Sequence, residues 1–414
     1  MGRVRGRYGV AYHRGPRCGP PDDTEEARVG VENTRLREWA AALGLALAAA
    51  VSLGMSRFCY ALLLPAMRAD LGWSYLTAGA MNTVNAAGYL VGALAMPRLL
   101  RRLDARHLLL AGGLGAAALM ALHGVARSDA ALFVLRGATG MASAASFVTG
   151  GLLAARLAAQ ARHLGPGLVL GLYYGGTGLG IIASTLAVPP LPWPQAWVLL
   201  GALCALATAA TAAVTRSLAA PPTPGALRVP VAAGPMLFGL AGYACFGLGY
   251  IGYMTYVIAL LREQGLGEGL RMGFYALLGL GVIASSWLWS GLLQRWKGGQ
   301  TLALLNGLLA LATVLPVWSA HPVVVFASGA LFGSVFLSVV ASTTALVRHN
   351  LRPEQWPGGI ALFTIVFAGG QIVGPALVGW VSDGAGGLLR GFAVSAALLA
   401  LGSVLAARQR PFAA

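Results

Sequence analysis

Charged side chains are scarce in this sequence. Asp, Glu, Lys and Arg together supply 10% of its 414 residues, against roughly 25% in a soluble globular domain. So little polar surface excludes a soluble fold and points to a membrane protein. Acidic residues are fewer still, 13 against 29 basic ones, and lysine occurs only as Lys297. The net charge of +16 is no nucleic-acid footprint, because the arginines form short clusters between apolar runs and not one patch interleaved with aromatics. Cysteine is rare as well. Cys18, Cys59, Cys204 and Cys245 show no paired spacing and no CxxC, and the last three lie in apolar runs, where a thiol acts as a small hydrophobe. No disulfide and no metal site are expected. HExxH, GxSxG and a phosphate loop with its lysine are missing. The sequence therefore offers no catalytic residues and no cofactor site, and an enzyme is not expected.

Apolar length is what the chain has in abundance. Residues 1–37 are polar and rich in Arg, Gly and Pro, and read as a disordered cytoplasmic tail or an over-extended gene start. Its apolar stretch starts too late for a signal peptide. Twelve apolar segments follow, near 39–65, 74–96, 107–126, 130–155, 166–190, 195–215, 235–261, 270–293, 299–319, 322–347, 358–382 and 386–407. Each reaches roughly 30 Å as a helix, the thickness of the hydrocarbon layer. Lipid leaves no other way to satisfy the backbone of such segments. The expected fold is an all-α membrane protein of twelve transmembrane helices.

The break at 216–234, with Pro221, Pro222, Pro224 and Pro230, separates six segments from six. The expected plan is an N-terminal half at 38–216, a linker at 217–233, a C-terminal half at 234–407 and a short tail at 408–414. Leu53-Gly54 and Leu248-Gly249 occupy matching places in the two halves, as in parallel repeats with a substrate site near the midplane. With both termini in the cytoplasm, only Arg68, Arg127, Arg262, Arg271 and Arg390 fall in outside loops, while Arg57 and Arg136 fall within segments. The remaining basic residues all lie inside, as the positive-inside rule requires. Trp39, Trp73, Trp193, Trp296, Trp318, Trp356 and Trp380 lie near segment ends, where an aromatic belt would place them.

Several motifs carry a family resemblance. Met55-Ser56-Arg57-Phe58-Cys59-Tyr60 with Leu64-Pro65 and Asp70-Leu71-Gly72, the run Asn85 to Leu94, Arg136-Gly137 with Gly140, Gly171-Leu172-Tyr173 through Gly180, Gly249-Tyr250-Ile251 with Thr255, and Gly370-Gln371 with Gly374-Pro375 and Asp383 together resemble the YbfB/YjiJ branch of the major facilitator superfamily. The resemblance implies two pseudo-symmetric six-helix halves, a cavity lined by the first, fourth, seventh and tenth helices, and a transport role. It implies gating by Gly92, Arg98, Arg101 and Arg102 in the loop after the second helix. There Met96 stands where the superfamily usually carries the aspartate that latches the inner gate.

Chemistry is sought first at the intramembrane charges, since an arginine at the bilayer centre costs about 2.5–3.5 kcal/mol. Arg57 lies roughly 12 Å below the outer end of its helix and Arg136 roughly 9 Å below the outer end of its own. One reading is a cationic recess gripping a small organic anion through the planar guanidinium fork. The other is structural, with Arg136 bonding main-chain carbonyls of the first helix and Arg57 reaching outward. All acidic residues and histidines fall in the tail, in loops or at helix ends, so no proton-relay group is evident, and any coupling falls to a rim group such as Asp70 or to the substrate's own protons. Tyr60, Asn85, Tyr250, Tyr253 and Gln371 complete the expected substrate-binding set with Arg57 and Arg136. Tyr250 and Tyr253 are expected to share a face; Asn82, Asn306 and Tyr256 are further polar candidates. Asparagine and glutamine amides in lipid also serve as interhelical ties. Gly175 to Gly180, and Gly369-Gly370 with Gly374, are expected to let helices approach closely.

The leading expectation is a carrier of a small organic anion working by alternating access, monomeric and in the bacterial inner membrane, with the lipid bilayer and a small molecule as its partners. Efflux of amphiphilic compounds is the nearest rival. A ligand sensor on a transporter fold is the alternative of another class.

Overall fold

A computed structural model describes residue 2 and residues 23–189, 191–218 and 231–412. Twelve long helical spans follow one another, and no strand occurs among the described residues. Helix α1 runs from Asp23–Ala49 through a π-helical stretch, Ala50–Phe58, into Tyr60–Leu71. It is followed by α2 (Tyr75–Leu99), α3 (Ala105–His123), α4 (Asp129–Gln160), α5 (Pro166–Ala187) and α6 (Trp193–Val214). The second set is α7 (Leu237–Glu263), α8 (Glu268–Leu288, continued by Ser290–Arg295), α9 (Gln300–Trp318), α10 (Pro322–Asn350), α11 (Trp356–Ser382) and α12 (Gly387–Ala407). Eleven of these spans are long and apolar enough to cross a membrane. The other, α2, is of similar length but carries Asn82 and Asn85 in its middle.

The start of α1 corrects one expectation. Residues 23–37 open the first helix and do not belong to an irregular tail. The last prolines of the tail, Pro20 and Pro21, precede this point, and hydropathy alone is blind to a polar extension of an apolar helix. The rest of the expected tail before Asp23, and residues 219–230 of the expected linker, lie outside the described residues.

Packing repeats between the two sets. In the first, α1 packs on α5 and α6, α2 on α4, and α3 on α4 and α6. In the second, α7 packs on α11 and α12, α8 on α10, and α9 on α10 and α12. The two halves meet where α2 lies on α11, where α5 lies on α8, and where the end of α1 lies on α7. Exchanging the halves exchanges the first two contacts, as a two-fold repeat requires. Without a hydrophobic drive between helices in lipid, small residues decide how closely they approach. A Cβ on Gly178 would come within 2.3 Å of Gly279 O across the α5–α8 seam, and one on Gly54 within 2.5 Å of Gly180 Cα. Gly369 has open space beside it instead, so it is not one of the close-approach glycines expected from the sequence.

One end of the seam is latched. The Asp383 carboxylate, at the C-terminal end of α11, accepts hydrogen bonds from the backbone N–H groups of Tyr75 (2.7 Å) and Leu76 (2.9 Å). It thus caps the N-terminus of α2, where unpaired donors and the helix dipole favour an anion. The Tyr75 hydroxyl donates to Glu263, and the Tyr256 hydroxyl donates to Tyr75 O at 2.7 Å and contacts Pro375 O at 2.9 Å. Arg68 lies over the Tyr75 ring at 3.8 Å. Every one of these residues sits at the end of the bundle away from the helix termini Ala407 and Asp23. Trp73 and Trp193, expected in an interfacial belt, are buried there. Their indole N–H groups donate to Asp129 (2.9 Å) and Asp70 (2.8 Å). Replacing Asp383 by alanine removes a cap worth about 1–2 kcal/mol, and so accelerates hydrogen exchange at the Tyr75 and Leu76 amides by roughly 5- to 30-fold. Unchanged exchange in the 72–80 segment would show that the latch is not held by this carboxylate.

Candidate functional site

The site begins with the backbone of α1. Its π-helical turn, Ala50–Phe58, departs from the regular α-helical ladder, a distortion frequent at functional sites. Three successive carbonyls, of Ser56, Arg57 and Phe58, receive side-chain donors. Polar main-chain groups in lipid must find such partners within the protein.

Arg136 supplies two of them. Its terminal nitrogens donate to Ser56 O (2.7 Å), Arg57 O (3.2 Å) and Asn82 Oδ1 (2.9 Å). The side chain is 0% exposed, and the guanidinium lies over the rings of Tyr60 (4.9 Å) and Trp197 (5.6 Å). Asn82 passes the contact on by donating to Thr255 Oγ1 of α7 at 2.9 Å. Asn85 donates to the main-chain oxygen of Arg136 itself at 3.1 Å, and the Tyr60 hydroxyl donates to Ala78 O at 2.9 Å. Tyr275 serves the third carbonyl, donating to Phe58 O at 2.7 Å. Arg136, Asn85 and Tyr60 were expected to touch substrate. In the structure all three bond main-chain oxygens, and Arg136 also bonds Asn82, the arrangement that the structural reading of Arg136 describes.

Arg57 is placed differently. It is 4% exposed, and its guanidinium donates to Gln371 Oε1 at 2.6 Å. Gln371 in turn donates to the Tyr250 hydroxyl at 2.6 Å. Arg57 Nε has no partner among the described residues. Phe58 and Tyr89 each present a ring 5.9 Å from the guanidinium carbon. Arg57 belongs to the first half and Gln371 and Tyr250 to the second, so this chain of contacts crosses the seam. Of the expected binding residues, the structure thus brings together Arg57, Tyr250 and Gln371. Tyr253 stands apart, stacked on Phe332 at 3.9 Å with its hydroxyl on Ser328 at 2.7 Å. Three residues along α7 did not suffice to give the two tyrosines common partners.

Among the expected gating residues, Asp70 and Gly92 contact the first half. Asp70 accepts from Trp193, and a Cβ on Gly92 would lie 2.7 Å from Met141 O of α4. Arg98, Arg101 and Arg102 are exposed around the α2–α3 turn, and Met96 is buried. Of the residues whose contacts cross between halves at that end, Asp383 and Tyr256 were named in the sequence without this role, and Glu263 and Tyr75 were not singled out. Their only signal was position at a helix end. His123 is a second correction. It ends α3 as expected, yet it is wholly buried, stacked on Trp197 at 4.5 Å, with Nε2 unpartnered among the described residues. Cys59, Cys204 and Cys245 are buried free thiols. A cavity of about 910 Å³ opens where α7 begins and α12 ends, lined by Pro235, Phe238, Arg408 and Arg410 among others. It contains none of the expected site residues.

Truncating Arg136 to alanine removes donors from Ser56 O, from Asn82 Oδ1 and from Arg57 O, which keeps the Cys59 N–H, at about 1–3 kcal/mol for each buried group left unpaired. A marked drop in thermal stability is expected, with Arg136→Lys in between because an ammonium cannot span the same three acceptors. Full stability with selective loss of ligand binding would instead return Arg136 to the binding site.

Residues 49–407 match the family described as uncharacterised MFS-type transporter YbfB. No curated protein sequence matches significantly. Among solved structures, a variant of the nucleoside transporter NupG is similar with a TM-score of 0.70 at 13% identity, over 88% of this chain and 98% of that one. A bacterial homologue of the human lysosomal transporter Spinster, inward-facing and unoccupied, is similar with a TM-score of 0.64 at 13% identity, over 90% and 96%. At such identities the structural likeness establishes the fold, and the family match covers most of the sequence. The chain is therefore a multi-pass membrane transporter, and belongs to the YbfB-type family of the major facilitator superfamily.

Proposed function

We propose that this transporter moves a small organic anion by alternating access, with Arg57 as the group that grips it. One observation supports the reading above the rest. A guanidinium offers five N–H donors, and that of Arg57, nearly buried, makes one hydrogen bond among the described residues, to a neutral amide. A buried cation without a carboxylate is costly, and retaining one makes sense where a ligand supplies the missing charge. Arg136 no longer competes for that role, because its donors are occupied by main-chain oxygens and Asn82.

Position supports the same reading. Arg57 lies on the seam between the halves, at the level where Arg136 grasps the Arg57 carbonyl. In this architecture a substrate held at the seam is the one both halves can feel as they rock. The basic residues crowd the end that carries the chain termini, which the positive-inside rule assigns to the cytoplasm of a bacterial inner membrane. The latch at Asp383 then closes the periplasmic side. A monomer with no nucleic-acid partner fits this picture. Asp70 is bound to Trp193 within the first half, so proton coupling through it is less favoured than exchange of anions or carriage of the proton on the substrate.

A thermal-shift and calorimetric screen of the purified protein against organic anions and amphiphilic cations tests the reading. Anions should stabilise the wild type, and Arg57→Ala should weaken their binding about 100-fold, the equivalent of ~3 kcal/mol from two charge-assisted hydrogen bonds. Arg57→Lys should fall between. Stabilisation by cations alone, equal in Arg57→Ala, would replace this reading with efflux of amphiphiles.

A further inference from the structure

The surroundings of Arg57 narrow the ligand further. We infer that the anion is an aromatic monocarboxylate, and that its carboxylate takes Arg57 away from Gln371, so breaking a tie between the halves. The inference rests on the anion reading above and adds the ring, the single charge and the displacement.

The single charge follows from the count of available cations. Arg57 and Arg136 are the arginines within the spans at the middle of the first half. Arg136 is spent on Ser56 O, Arg57 O and Asn82. One guanidinium is left, and it satisfies one carboxylate through its fork. A second carboxylate would lie among ring faces without a partner, which burial penalises heavily.

The ring follows from what flanks the guanidinium. From the first half come Phe58 and Tyr89, each 5.9 Å from it. From the second comes Tyr250, held by Gln371. Tyr250 belongs to a set of near-parallel rings, with Phe246 at 4.6 Å, Phe367 at 5.6 Å and Phe336 at 6.0 Å, all within 21° of its plane. Tyr89 and Phe367 are only half-buried, so each half offers π surface that the protein itself does not cover. We place the ring of the ligand against these faces, with its carboxylate at Arg57. Stacking distinguishes an aromatic acid from an aliphatic one of similar size by up to about tenfold in affinity.

The displacement follows from charge, because a carboxylate attracts the whole guanidinium more strongly than a neutral amide does. Two-point binding of a carboxylate needs two neighbouring N–H groups. Nε is buried and unpartnered, while a terminal nitrogen is held by Gln371 Oε1 at 2.6 Å. Gln371 yields that donor and keeps its bond to the Tyr250 hydroxyl. Since Arg57 sits on α1 and Gln371 on α11, the substrate replaces an inter-half bond by a bond to itself.

Calorimetry on the full-length protein in nanodiscs tests this with benzoate, indole-3-carboxylate, cyclohexanecarboxylate, acetate, terephthalate and benzamide. Benzoate or indole-3-carboxylate should bind about tenfold more tightly than cyclohexanecarboxylate, and terephthalate and benzamide at least tenfold more weakly than benzoate. Gln371→Glu places a permanent carboxylate on Arg57, and should abolish benzoate binding while thermal stability holds or rises. Gln371→Ala, which removes the competitor, should bind benzoate at least as tightly as the wild type. If cyclohexanecarboxylate or terephthalate matches benzoate, and all depend on Arg57, the aromatic monoanion is wrong and the anion reading stands. Benzoate binding unaffected by Gln371→Glu would overturn the displacement. If no acid binds in an Arg57-dependent way, the anion reading itself falls.

Discussion

The grip of Arg136 on the widened turn of α1 is the constraint from which the rest of the site follows. A π-helical stretch in the middle of a membrane helix departs from the α-helical ladder, and lipid offers its carbonyls no further donors. Arg136 and Tyr275 satisfy those of Ser56, Arg57 and Phe58 from two different halves of the molecule. A guanidinium is well suited to this, because its rigid fork reaches several acceptors at once. Fixing these carbonyls fixes the rotation of α1 at Arg57. The neighbouring side chain is thereby turned to Gln371 and the seam, so one arginine is consumed in holding the other in position.

This division of labour explains the kinds of contact that join the halves. A carrier needs its halves to part and meet again, so the bonds between them must each be weak enough to exchange. Midway along the seam most are neutral, Asn82 to Thr255 at 2.9 Å, Thr83 to Ile372 O at 2.7 Å and Tyr275 to Phe58 O, and the cation Arg57 meets a neutral amide. Such interhelical bonds average well under 2 kcal/mol in membranes. Carboxylates appear only at the end of the bundle, in Asp383 and Glu263, where both are exposed. Solvent can replace their partners there when the latch opens. A buried ion pair across the middle would be far harder to break, since parting it leaves two uncompensated charges.

Much of the architecture was legible in the sequence. Segment count, the arginine asymmetry and the proline-rich break carry the twelve-helix plan because hydropathy and loop charge act locally. The beginning of α1 was not legible, since a polar helical extension has no hydropathic signature. The identity of Arg57 and Arg136 as the residues that matter was visible as well, because any arginine in an apolar run demands a reason. Their roles were not separable. Both lie at the same depth, and depth says nothing of whether a guanidinium meets main-chain oxygens or an amide. Gln371 and Arg57 are 314 positions apart, so only the fold could join them. The same holds for Asp383, whose value lies in two amide groups on a helix it does not belong to. Tyr250 and Tyr253 failed as a pair for a subtler reason. Neighbours at i and i+3 share a helix face, but α7 is buried on nearly every side, and a shared face then divides between different neighbours.

The neutral amide opposite Arg57 is the last piece that needs a reason. Had the site carried a carboxylate there, the pair would be self-sufficient, and any ligand would have to compete with a full charge at close range. An apolar residue would leave the guanidinium bare whenever the site is empty, with the burial cost unrelieved. Glutamine lies between these extremes. It offers one oxygen, enough to hold the cation in place between ligands, yet a carboxylate outcompetes it, because a carboxylate adds a full opposite charge and a second oxygen for the guanidinium fork. Its other end stays anchored on Tyr250, so the amide has a place to rest when displaced. A buried cation, a neutral and tethered placeholder, and no acid beside them among the described residues together describe a site that is stable when empty and, on the proposed reading, favours an anion.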